Sequence, residues 1–119
     1  MNEPSAVERF YLAEGTDKVV YTKDQKIPSA AHIIVRKEDH TMGNIIRCEL
    51  MNNPAVLFAG YRIPHPLEFD LHFRVQTDGS ITPAQAVVNA IHKLEKDITE
   101  LEDKMRSAIA EKTKKGIFD

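Results

Sequence analysis

The chain has 119 residues, 42% of them hydrophobic and 29% charged, with a formal net charge of −2; these figures fit one soluble domain with one core. Sixteen basic residues against eighteen acidic ones argue against a surface built mainly to grip a phosphate backbone. One cysteine, Cys48, allows no internal disulfide and fits a reducing compartment, the opening MNEPSAVERF has no apolar run of the kind a secretion signal needs, and no stretch approaches the ~18 apolar residues of a membrane span.

Residues 1–17 are poorly periodic; Phe10, Tyr11 and Leu12 are candidates to tuck into a core, and Gly15 ends that segment. Val19, Val20 and Tyr21 mark a short strand over 18–22, and 24–29, with Pro28, reads as a turn. A second strand covers 31–36, where Ile33, Ile34 and Val35 favour extended backbone. The segment KEDHTMGNIIRCEL follows. Asp39 or Thr41 can accept from the free N–H groups of a helix that starts there. Met42, Ile45, Ile46 and Leu50 then fall on one stripe. Gly43 inside this short helix costs ~1 kcal/mol relative to alanine, which close packing can offset. The helix is expected to stop by Asn52–Asn53, because Pro54 disfavours helical geometry before it.

A strong strand covers 55–63 and ends at Pro64-His65-Pro66. From 69 to 76 the alternation is clean: Phe69, Leu71, Phe73 and Val75 on one face, Asp70, His72, Arg74 and Gln76 on the other, as in a half-buried antiparallel strand. Residues 77–80 form a turn. Thr82-Pro83-Ala84-Gln85 has the form of a capping box with proline at the first helical position. No proline or glycine interrupts the chain from there to Gly116, so one helix can run about 30 residues, over 83–113, or ~45 Å. Val87, Ile91, Leu94, Ile98, Leu101, Met105 and Ile109 recur along it at spacings of four and three. Glu100–Lys104 and Glu102–Arg106 are well-oriented pairs outside the stripe. Lys112, Lys114 and Lys115 suit the negative end of the helix dipole.

The order strand, helix, strand, strand, long helix predicts an α+β fold: a two-layer sandwich of a mainly antiparallel sheet with a short helix and a long C-terminal one, in a single domain over 1–119. A domain of this length is ~35 Å across, so a ~45 Å helix overhangs it. The apolar run from Leu94 to Ile109 then either packs on another helix or folds back over its own core. Each such side chain contributes ~1.5–3 kcal/mol when fully buried, more than the surface charge pairs beside it contribute.

No catalytic constellation appears. Cys48 has no base at a meaningful spacing and reads as a small packing residue. His32, His40, His65, His72 and His92 lie on different elements without a ligand pattern, so no metal and no cofactor are expected. Glu38-Asp39-His40 fits a helix start better than an acid–base group. No phosphate-cradling glycine loop is present.

The segment 37–50, with its DHTMGNIIR core, resembles the α-motif of RNA polymerase assembly subunits, a DHTLGNLLR-type pattern. The segment 56–67, VLFAGYRIPHPL, resembles the next block of the same family, and Leu57-Phe58-Ala59 and Leu67 favour its polymerase II branch over the branch shared by polymerases I and III. With the capped terminal helix, the resemblance covers nearly the whole chain. It extends to the archaeal L subunit and the N-terminal domain of bacterial α. It implies a non-catalytic nuclear subunit that pairs with the third-largest, α-like polymerase subunit to seed assembly with the other subunits, without direct contact to nucleic acid or membrane. It also implies an α-motif made of Asp39, His40, Thr41, Gly43, Asn44 and Arg47. The implied interface is Met42, Ile45, Ile46 and Leu50 with Leu94, Ile98, Leu101, Met105 and Ile109. One departure stands out: the bacterial pattern has two adjacent arginines where this chain has Arg47 and then Cys48. The residues alone also accommodate a free-standing homodimeric binding module that uses the same helix.

Overall fold

The alternation of residues 70–77 becomes the middle of the molecule. In a computed structural model, which describes residues 11–12 and 14–114, Asp70–Thr77 is a strand whose side chains alternate without exception between half-buried and buried. Numbered in chain order, the strands are β1 (Val19–Lys23), β2 (Ala30–Arg36), β3 (Val56–Arg62) and β4 (Asp70–Thr77); the helices are α1 (His40–Met51) and α2 (Pro83–Lys114). They form one four-stranded sheet in the order β1-β2-β4-β3, antiparallel at every pairing. This is the expected α+β sandwich, since α1 and α2 share one face of the sheet and leave the other open.

The register explains the core. Ile33 lies opposite Phe73, and Val35 opposite Leu71; Ala59 lies opposite Val75. Apart from Val35, which is half-buried and packs against them, these inward residues join Leu50 from α1 and Ala86 and Ala90 from α2 in the buried cluster. Turn chemistry sets the connections. The Asp24 carboxylate accepts from the N–H groups of Lys26 at 2.8 Å and Ile27 at 3.1 Å, which hold it below the usual aspartate range and close the β1–β2 turn. At the β4–α2 turn, Gly79 takes a φ of +94°, a conformation that L side chains rarely adopt. The buried Thr77 hydroxyl there donates to the Ile81 carbonyl at 2.6 Å.

Three expectations are refined. Tyr11 is exposed and Leu12 half-buried, while Phe10, like most of the expected N-terminal segment and Lys115, lies outside the described residues. The Thr82 hydroxyl accepts from the Gln85 N–H at 3.1 Å, but the Gln85 side chain donates to Asn89 instead of reaching back; only half of the capping box is made. Helix α2 runs 32 residues, to Lys114, or ~48 Å. It extends the molecule to 62 × 45 × 24 Å with a radius of gyration of 18.5 Å, against the ~13.5 Å of a compact chain this long. Bending back over the core is thereby excluded as the fate of the overhang.

Candidate partner-binding surface

Helix α1 is built and held by the segment 39–47. The Asp39 carboxylate accepts from the Thr41 N–H at 3.0 Å and is the N-cap; Thr41 itself is exposed. The His40 Nδ1 lies 2.9 Å from the Tyr61 hydroxyl of β3. Gly43 is buried because the Tyr61 ring occupies the space beside it: a Cβ there would come within 2.6 Å of the ring. Tyr61 continues into the core against Phe73, with ring centroids 5.7 Å apart. Asn44 accepts from the Arg47 guanidinium at 2.9 Å. Asp39, His40 and Gly43 thus fix the angle of α1 on the sheet, and Asn44 and Arg47 brace its outer side. The partner of this motif, Tyr61, was not singled out in the sequence; the one signal for it is an aromatic on the inward face of the next strand.

The apolar stripe of α1 divides. Leu50 is fully enclosed in the chain's own core and Ile46 packs against that core, so Leu50 is corrected from an interface residue to a core residue. Met42 and Ile45 are 41% and 43% exposed. They share a helical face with Glu49, three and four residues apart along it, and Glu49 lines a polar cleft against Asn89, Lys93 and Asp97 of α2. The uncovered apolar part of α1 therefore lies on its α2-facing flank.

Helix α2 divides along its length. Over the sheet it is anchored by small residues, Pro83, Ala86 and Ala90, all buried. Val87 is half-buried and Ile91 exposed, so the large residues at the start of the stripe are rotated off the sheet-facing line. Leu94 is half-buried and marks the transition. Beyond it Ile98, Leu101, Met105 and Ile109 are 65%, 58%, 55% and 53% exposed. Four large apolar side chains in an unbroken row on a bare helix are unusual on a monomer's surface. Spacings of three and four are those of a helix meeting another helix along a narrow seam.

The polar side of α2 is ordinary. Lys93 pairs with Asp97, whose carboxylate holds the ammonium above the usual lysine value, and Glu102 pairs with Arg106 at 2.7 Å; the expected Glu100–Lys104 pair does not form. Cys48 is exposed and takes a hydrogen bond from Arg47 at 3.3 Å, which corrects its reading as a packing residue. No group of three His, Cys, Asp or Glu side chains among the described residues has metal-holding geometry, and none of the described helices is long and apolar enough to cross a membrane.

Comparison with known proteins gives a consistent result. The family described as the RNA polymerase Rpb3/Rpb11 dimerisation domain matches residues 30–104. A probable DNA-directed RNA polymerase II subunit RPB11 of Caenorhabditis briggsae is 47% identical over 92% of this chain and 88% of its own length. The corresponding protein of Caenorhabditis elegans is 44% identical over 98% and 94%, and that of Dictyostelium discoideum 39% over 94% and 93%. Among solved structures, subunit L of the Thermoplasma acidophilum DNA-directed RNA polymerase superposes with a TM-score of 0.65 at 20% identity, covering 80% of this chain and 93% of the other; at that identity the likeness is one of fold.

Proposed function

The chain belongs to the RNA polymerase Rpb3/Rpb11 dimerisation-domain family, and from that premise we propose that its exposed helical seam pairs with the third-largest, α-like subunit of RNA polymerase II. The chain is a non-catalytic subunit of that enzyme, as its relatives at 39–47% identity are named, and its partners are other polymerase subunits. The whole of residues 1–119 acts as one dimerisation domain, working in the nucleus. The pairing surface is the row Leu94, Ile98, Leu101, Met105 and Ile109, joined by Met42, Ile45 and the outer edge of Ile46. The α-motif residues set the angle of α1 and so set where Met42 and Ile45 stand.

The observation that carries this reading is the exposure of the Ile98–Ile109 row on a helix that has passed the end of its own sheet. Burying it against a second helix gains apolar contact along ~22 Å, at ~1.5 Å per residue over the Leu94–Ile109 interval. The half-exposed side chains recover only part of the ~1.5–3 kcal/mol that full burial gives each. That sum still exceeds the few tenths of a kcal/mol from the exposed charge pairs beside it.

Native mass spectrometry tests the reading. Purified from its own cells, the chain is expected in a stoichiometric polymerase assembly, and with the third-largest subunit alone it is expected as a one-to-one pair. Expressed by itself it is expected to self-associate through the uncovered row. A stable homodimer that ignores the third-largest subunit would overturn the proposal and favour a free-standing binding module.

A further inference from the structure

The helices cover one face of the sheet, and the register concentrates nitrogen-rich side chains on the other. Arg74 of β4 lies opposite His32 of β2 and opposite Gly60 of β3; His72 lies opposite Arg62. Gly60 has no side chain, so it leaves a notch in β3 between Phe58 and Arg62. The Phe58 ring leans over that notch, and a Cβ on Gly60 would stand 3.1 Å from it. An open groove on this face is lined by these residues together with His32, His72 and Arg74.

Three arginines, Arg36, Arg62 and Arg74, meet two carboxylates, Asp24 and Asp70, there. Asp70 answers Arg36 at 3.6 Å, and the Asp24 carboxylate is shared between Arg74 at 3.7 Å and His32 at 3.9 Å. Among the described residues no carboxylate pairs with Arg62. In a chain with net charge −2 this face therefore carries an excess of cations. It also borders a free edge, since β4 is the only strand paired with β3 among the described residues. Natural edges are commonly blunted by lysine, proline or a bulge. Here the irregularity lies between Val56 and Phe58; from Phe58 to Arg62 the strand is regular, and Leu57 and Phe58 are exposed.

We propose that the free edge of β3 receives an extended segment of another protein chain bearing acidic side chains at alternate positions, seated across Gly60 between Arg62 and Arg74. A strand added to this edge bonds to the free backbone groups and points every second side chain to the open face. Same-face residues on such a strand recur every ~6.5–7 Å, the interval that separates Phe58, Gly60 and Arg62 along β3. One carboxylate passes through the gap at Gly60 to Arg74, and the next meets Arg62 as a charge-assisted hydrogen bond. Single-stranded RNA suits the face less well: sheets that read RNA stack bases on two or three aromatic rings, and here Tyr61 and Phe73, which also line the groove, pack into the core and leave Phe58 as its exposed ring. The surface lies across the sheet from the helical row, so one chain can hold both partners at once.

The test places the photo-crosslinking residue p-benzoylphenylalanine at position 58 in the full chain, irradiates the purified native assembly and identifies the captured peptide by mass spectrometry. The expected product joins position 58 to a segment of another protein chain with acidic residues at alternate positions. Its yield is expected to fall about 5-fold with Arg62→Glu, the scale of one exposed ion pair, and to be retained with Arg62→Lys. Capture of nucleic acid, capture of a segment lacking acidic residues, products only within the chain, or a yield indifferent to Arg62→Glu would each overturn the proposal. If the chain altered at 58 does not enter the assembly, the same residue at the exposed position 57 reads the same edge.

Discussion

The two halves of α2 have the same apolar spacing and opposite fates. Over the sheet, the buried contacts are made by Ala86 and Ala90, residues small enough to bring the helix close to Val75 and Leu50. Past the sheet, the row from Ile98 to Ile109 consists of large side chains that stay more than half exposed. Large residues over the sheet would push the helix away, and small residues on the overhang would leave a partner little to bury. The size of the side chain, and not apolarity alone, separates the part of the helix that serves the fold from the part that serves assembly.

Substitutions can break that comparison. The largest effect is expected from Ala90→Asp, which puts an unpaired carboxylate into the core and costs ~3 kcal/mol or more; thermal denaturation is expected to show a loss of at least ~10 °C, whereas Ile98→Asp, compared at a dilution where the wild type is monomeric, leaves the melting of the chain nearly unchanged. Equal losses for the two would mean that both halves serve the fold. Next comes Gly43→Ala, whose methyl group must displace the Tyr61 ring, an overpacking worth ~1–3 kcal/mol. If Tyr61 is the cause, the cost shrinks in a Tyr61→Ala background, and a double-mutant cycle reads that coupling. Thr82→Ala removes the cap on the near half of α2 and is expected to cost ~1 kcal/mol of stability with little change in partner binding. Smallest is Glu102→Ala, which loses the exposed pair with Arg106, a few tenths of a kcal/mol; a chemical denaturation midpoint indistinguishable from wild type is the expected result.

Much of this arrangement was legible in the sequence because local rules governed it. The β4 alternation, a cap at Asp39 or Thr41 and the Thr82 start of α2 follow from patterns a few residues wide, and the overhang from an uninterrupted helical run of about 30 residues. What was not legible depends on contacts between distant parts of the chain. Leu50 shares a stripe with Met42 and Ile45, and periodicity gives that face of α1 without saying which edge of it the sheet will cover. Ala86 and Ala90 carry a weaker apolar signal than Val87 and Ile91, although it is the alanines that the sheet covers. The reason for Gly43 sits 18 positions away in Tyr61, and the cationic notch at Gly60 exists only once β2, β4 and β3 are in register. Cys48 was misplaced for the same reason: its neighbours Asn44 and Arg47 turn out to be on the solvent side of α1.

The central claim is that the far half of α2 is an interface, and Leu101→Asp tests it most directly. Leu101 sits mid-row between Ile98 and Met105, and a carboxylate there would have to be buried unpaired against a partner helix or remain unbound. Titration of the third-largest subunit against the variant, with circular dichroism as the check on folding and Glu102→Ala as the control, is expected to give a folded chain whose affinity has dropped at least ~100-fold, about 3 kcal/mol. A folded Leu101→Asp chain that binds its partner as tightly as the wild type would contradict the assignment and place the interface elsewhere on the molecule.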